Sequence, residues 1–298
     1  MKYTVLTALF TAAIAVTNAQ QLQTSSMYDM QGILHNPSMA GTQENNMIGV
    51  TYRSQWAAIS GSPRTTTVFG SFDLPKQAIG VGGYIYNDKT GPTSRTGLNL
   101  SLAKHIVMGD KGVFSLGLET RLQQYAIDKG KLSATLGSDP VLGSSDNKFK
   151  YDAGFGISYT GKKLQIGASV SQLVQSKLNF YSGNYTRDEE AMLYRHYYAH
   201  AAYAWDVDGV TTITPNSLFI YLPNAPLNYQ VGVRVEHNKL LWWGIGYRAR
   251  QSFMLSAGLH IGKKLTVGYA YDDYTSPISN FDNGASAHEV LLRFNLPK

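Results

Sequence analysis

The stretch LLWWGIGYRARQSFMLSAGLHIG, residues 240–262, decides the fold. Leu241, Trp243, Ile245, Tyr247 and Ala249 fall on one face of an extended chain, and Trp242, Gly244, Gly246, Arg248 and Arg250 fall on the other. Beyond Gln251 the alternation resumes: Phe253, Leu255, Ala257, Leu259 and Ile261 oppose Ser252, Met254, Ser256, Gly258 and His260. Side chains alternate across a strand. Each run therefore reads as a β-strand with one apolar face and one face of polar or small residues.

The same pattern extends along the chain. Val290, Leu292, Phe294 and Leu296 oppose Glu289, Leu291, Arg293 and Asn295. Such runs begin near residues 46, 64, 77, 93, 111, 149, 163, 196, 211, 226, 240, 252, 264 and 286, about fourteen strands of about ten residues, the length of a tilted strand crossing a bilayer. The runs from 211 and 226 are the least regular, and Pro215 lies inside the first.

Connections sort into two kinds. Tight polar turns stand at Pro75-Lys76, Gly109-Asp110-Lys111, Gly161-Lys162, Asp208-Gly209, Asn238-Lys239 and Gly262-Lys263, and long segments near 126–148, 173–195 and 273–285 fall among the alternate connections. Short turns at one end and long loops at the other mark an outer-membrane barrel. An even strand count puts both termini at the short-turn, periplasmic end. On this topology Trp205 and Trp243 approach the periplasmic rim and Tyr269 and Tyr271 the outer rim, where amphipathic rings favour the interface.

Composition agrees. Of 298 residues 43% are hydrophobic but only 15% charged, with 20 Tyr and 29 Gly, against about 25% charged in an ordinary soluble domain. The opening MKYTVLTALFTAAIAVTNAQ has a basic start, an apolar run and the small-residue site Thr17-Asn18-Ala19. It reads as a signal peptide, residues 1–19, with the mature chain starting at Gln20. There are no cysteines, so disulfides and thiol chemistry are excluded. The net charge of +6 comes from scattered Lys and Arg without a basic run, so nucleic acid is not an expected partner. A chain without a second long apolar run can span a membrane only as a closed barrel. The expected fold class is all-β, a transmembrane up-and-down antiparallel β-barrel of about 14 strands over residues 46–298 that resembles the fatty-acid channels, with a short N-terminal plug segment.

Strand parity assigns Arg53, Arg95, Glu119, Arg121, Asp152, His200, Arg234, Glu236, Arg248, Arg250, His260, Asp272, Glu289 and Arg293 to the lumen face. Many glycines share that face, Gly80, Gly82, Gly117, Gly156 and Gly167 among them, where bare backbone makes room for a close neighbour or helps the wall curve. The charged face admits an anion-leaning pore or a set of cross-lumen ion pairs, and its mixed signs favour the pairs.

Catalytic chemistry is not expected. The chain has no H-E-x-x-H, no Walker loop and no G-x-S-x-G elbow. His196 and His200 share a face but stand roughly 13 Å apart along a strand, too far for one metal. Asp188-Glu189-Glu190 and Asp272-Asp273 read as solvated loop or rim clusters. No cofactor and no metal is expected.

Ahead of the first strand stands HNPSMAG, residues 35–41. Asn36 can cap a helical turn, Pro37 fits its first position and Gly41 can end it. One turn is too short to be stable alone, so residues 20–45 are expected to dock in or against the barrel as a plug. HNPSMAG is similar to the Asn-Pro-Ala-Tyr-Ala-Gly signature of the PorP/SprF family, outer-membrane proteins of the Bacteroidota type IX secretion and gliding system. YRSQWAAISGSPRTTTVFGSFDLP (52–75), IGVGGYIYNDKTGP (79–92) and GASAHEVLLRFNLPK (284–298) carry the resemblance along the mature chain. Ser38-Met39 stands where the family has Ala-Tyr, and His35 replaces an aromatic. The chain ends in Leu296-Pro297-Lys298, leaving Phe294 as the candidate terminal aromatic of a barrel-assembly signal.

The resemblance implies a non-enzymatic outer-membrane protein. Its partners would be secreted adhesin-type cargo and other type IX components, with no small-molecule substrate. The alternative is a passive channel for small hydrophobic solutes.

Overall fold

The computed structural model describes residues 24–42, 46–131, 146–178, 193–223, 225–262, 264–275, 278–283 and 285–296. The expected signal peptide and the acidic run Asp188-Glu189-Glu190 lie outside the described residues.

The strands are β1 (Asn46–Gln55), β2 (Arg64–Leu74), β3 (Ile79–Thr90), β4 (Thr93–Val107), β5 (Val113–Ile127), β6 (Asp146–Thr160) and β7 (Leu164–Ser171). They continue as β8 (His196–Tyr203, resuming as Trp205–Asp206), β9 (Thr211–Tyr221), β10 (Asn228–His237), β11 (Leu241–Arg248), β12 (Ser252–Ile261), β13 (Leu265–Tyr274) and β14 (Ala287–Leu296). Each pairs antiparallel with the next. β14 returns to β1 in register from Asn46↔Leu296 to Gln55↔Ala287, closing a 14-strand antiparallel barrel. Closure leaves no sheet edge unpaired in the bilayer.

The irregular run is explained by Pro215. β9 pairs with β8 at Asn216↔Ala202 and again at Ile213↔Trp205, but the ladder skips Thr214 and Pro215, and β8 is interrupted beside them at Ala204. A proline has no N–H to give to the ladder. On its other side β9 stays in register with β10 throughout, Pro215 opposite Val233.

The observed starts lie within a few residues of those read from alternation, but the wall is not of even height. β4, β5 and β6 each run 15 residues, several more than the 9–11 a tilted crossing needs. Strand direction places the connections 128–145, 172–195 and 275–286 at one end, with 75–78, 161–163, 238–240 and 262–264 at the other.

Apolar side chains face outward and polar ones inward. On β12, Phe253, Leu255, Leu259 and Ile261 are exposed while Ser252 and Met254 are buried. Lipid, not a second layer of protein, covers such a face. Ile245, near the middle of β11, is 64% exposed. Replacing it with arginine should lower unfolding stability in lipid vesicles by about 2–4 kcal/mol, read from urea titration, while Ile245→Val stays close to neutral.

Candidate functional site

The lumen holds the chain's own N-terminal segment. Residues 24–42 form successive 3₁₀ turns, Tyr28–Met30, Gly32–Leu34 and Pro37–Met39. Met27, Met30, Ile33 and Ala40 pack with inward Met47, Phe69, Tyr84 and Trp242 into one apolar cluster. Trp242 fits because the wall beside it is bare: a Cβ on Gly258 would lie 2.4 Å from its ring.

Asn36 caps the last turn, its Oδ1 accepting from Ser38 N at 3.0 Å and Ser38 Oγ at 2.7 Å. Its Nδ2 donates to Ile157 O at 3.0 Å and contacts His200 Nε2 at 3.0 Å. One amide thus caps the turn and ties it to β6 and β8. Pro37 occupies the first helical position, and Gly41 has φ +72°. Gly41 also lies against Gly80 and Phe72, so a side chain there would be both strained and crowded.

The inward glycines admit this segment. Added Cβ atoms would lie 2.2 Å from Ser38 N at Gly117, 2.0 Å from Asn36 Oδ1 at Gly156 and 1.9 Å from Ala40 O at Gly80. Of the two readings of these residues, close approach applies at Gly80, Gly82, Gly117, Gly156 and Gly167.

Charged side chains fasten the segment's start. Arg53 reaches Asp272 at 2.6 Å and Glu289 at 3.1 Å, and Arg248 reaches Asp272 at 2.6 Å, all of them buried. Ser26 sits among them. Its hydroxyl donates to Asp272 and accepts from Arg53 at 2.8 Å and Arg248 at 3.3 Å. Its N–H donates to Glu289 at 2.8 Å, and Ser25 Oγ donates to the other oxygen of Glu289 at 2.5 Å. Further along, Arg234 pairs with Asp29, and the Tyr28 hydroxyl donates to Asn216 Oδ1 at 2.5 Å.

The remaining inward residues lie apart from that cluster. Arg121 pairs with Glu119 and donates to the Tyr84 hydroxyl at 3.4 Å. Glu236 faces His260 at 3.4 Å, and Arg293 donates to Thr266 at 3.4 Å. Asp152 accepts from Ala153 N at 2.7 Å and Val174 N at 3.0 Å, anchoring the chain as it leaves β7. Arg95 lies over the Tyr86 ring.

Arg250 is a correction. It is exposed in the turn after β11 at φ +59°, not on the lumen wall. The left-handed turn breaks the parity that alternation had carried past Arg248. Sequence reasoning also missed Ser25, Ser26, Tyr28 and Asp29. They precede the readable pattern, and no periodicity marks them.

The segment divides the lumen. On the long-loop side lies a vestibule of about 910 Å3, open mouth included, lined by Gln31, His35, Tyr84, Tyr86, Arg95 and Asn99 among others. On the short-turn side Gly41, Thr42, Pro75, Ala78, Val107 and Val113 line a second hollow. Among the described residues no group of three or more His, Cys, Asp or Glu is placed to hold a metal.

Two predictions follow from this packing. Gly156→Val should displace the segment, so that added protease cleaves residues 24–42 while the barrel keeps its heat-modifiable migration. Unchanged protection would count against the close approach. The second concerns His35, whose imidazole is held well below its ordinary value by burial and then by neighbouring His200. It docks neutral, so its contribution is full above the ordinary pKa of about 6.5 and is lost as pH falls from there toward the lowered value. Protease access to residues 24–42 should rise on acidification, and less steeply in His35→Gln.

No curated protein matches the chain. Solved structures share its fold. The CymD monoaromatic hydrocarbon channel aligns with TM-score 0.52 at 10% identity, over 90% of this chain and 93% of its own. The Ralstonia pickettii toluene transporter TbuX gives 0.51 at 12%, over 88% and 92%. The Acinetobacter baumannii outer membrane protein Omp33 gives 0.51 at 8%, over 86% and 100%. The family model described as type IX secretion system membrane protein PorP/SprF matches residues 17–294. With that match running through the lumen segment and nearly every strand, the chain belongs to the PorP/SprF family of type IX secretion system membrane proteins.

Proposed function

We propose that this outer-membrane barrel serves type IX secretion and gliding by protein–protein contact, helping adhesin-type cargo cross the membrane or stay attached outside. The observation that carries the reading is the occupied lumen. Residues 24–42 sit across it, glycine-seated and ion-paired, so the wall's loops and turns are the surfaces left for partners. In this reading residues 1–19 are removed on export, 20–45 form the plug and 46–298 form the barrel. Both termini and the short turns face the periplasm and its secretion machinery, and the long loops face cargo outside.

A passive route for small hydrophobic solutes fits less well. Arginines, carboxylates and amides line the way, and an apolar solute would have to displace a hydrogen-bonded segment. Deleting the gene should strip specific large proteins from the cell surface, read by surface proteomics and restored by the intact gene in trans. An unchanged surface proteome and secretome would sink the reading. Uptake of an apolar solute into proteoliposomes would favour the channel.

A further inference from the structure

The vestibule above the lumen segment is built more specifically than a water-filled mouth requires. Tyr86 lies over Gly97, where an added Cβ would meet its ring at 2.3 Å. The Arg95 guanidinium sits 5.3 Å from the Tyr86 ring centroid. Gln123 fixes the neighbouring hydroxyls, donating to Tyr86 at 2.7 Å and accepting from Tyr125 at 2.9 Å.

Arg53 and Arg121, the other arginines on this lining, hold carboxylates. Arg95 has none within salt-bridge distance among the described residues, and its buried Nε lacks a hydrogen-bond partner. Other buried polar atoms of the lining are unpaired as well: both amide atoms of Asn99, and Oε1 of Gln31 and of Gln172. Buried groups of this kind cost free energy until something pairs with them.

Their chemistry narrows the occupant. The Arg95 guanidinium bonds to the Tyr125 hydroxyl but holds no carboxylate, and its free Nε asks for a carboxylate or another oxyanion. Unpaired amide donors and acceptors ask for hydroxyls, each of which can donate and accept. The Tyr84 and Tyr198 rings on the lining supply apolar faces. A fatty acid would satisfy Arg95 but not the amides, and a neutral sugar would do the reverse. We propose that the vestibule binds a small carboxylated saccharide of the uronic-acid class, its carboxylate on Arg95 and its hydroxyls on Asn99, Gln31 and Gln172. The ligand is held there rather than passed through, since the lumen segment lies beneath it. This goes beyond the secretion reading and does not rest on it.

The test is isothermal titration calorimetry on the full-length folded barrel in detergent, with D-glucuronate, D-glucose and acetate as probes. Glucuronate should bind saturably, with glucose and acetate each at least about tenfold weaker. Arg95→Gln and, separately, Asn99→Ala should each weaken glucuronate by about tenfold or more. Arg64→Gln, on an exposed residue at the start of β2, should not change it. Heat-modifiable migration identifies the variants that fold, and either pocket variant suffices if the other does not. Absence of saturable glucuronate binding, equal binding of glucose or acetate, or indifference to the pocket variants overturns the proposal.

Discussion

Ser26 is held by both signs of charge at once. Its hydroxyl donates to Asp272 and accepts from Arg53 and Arg248, while its N–H donates to Glu289. The two arginines and two carboxylates balance in charge. Taking a single one of them out of water would cost several kcal/mol, and removing one partner from a buried set typically costs about 3–5 kcal/mol. A wall that turns such groups inward is favoured by hydrogen bonds to their remaining lone pairs and protons. A serine at the head of the lumen segment supplies several of them, which ties the barrel's interior to the docking of residues 24–42.

The rest of the interior follows from the same requirement. Backbone entering a lumen must either bond to the wall or find water. Asn36 answers for one turn by bonding to β6 and contacting His200 of β8, and Ser169 answers for the turn before it by donating to His35 O at 2.5 Å. That contact needs backbone-to-backbone closeness, hence bare glycine at Gly117 and Gly156. Where wall and segment meet through apolar groups, Trp242 and Phe69 fill the gap instead. Polar stitching and apolar filling alternate along the segment, and neither alone would seat it.

Alternation assigned strands and faces because a period of two is a property of each strand by itself. It could not foresee β4, β5 and β6 rising past the others, because height depends on how strands are staggered around the barrel. Nor could it see that Arg250 leaves the wall, since one residue at positive φ resets the parity. Pro215 was visible as an irregularity, but only the register shows the two-residue gap in the ladder at Thr214 and Pro215, next to the interruption in β8. The capping pattern of Asn36-Pro37 was readable from local chemistry. The meeting of Ser26 with residues about 220 to 260 positions away was not, because nothing local encodes it.

The four charged groups around Ser26 come from β1 and β14, which form the seam where the sheet closes on itself, from β13 beside it, and from β11. Glu289 and Asp272 belong to the last two strands of the chain. Without β13 and β14 paired, Arg53 and Arg248 therefore lack either carboxylate. Their charge is balanced, and Ser26 finds its full set of partners, only when the final strands arrive beside the first. Closing the seam and seating the N-terminal segment thus draw on one shared set of charges.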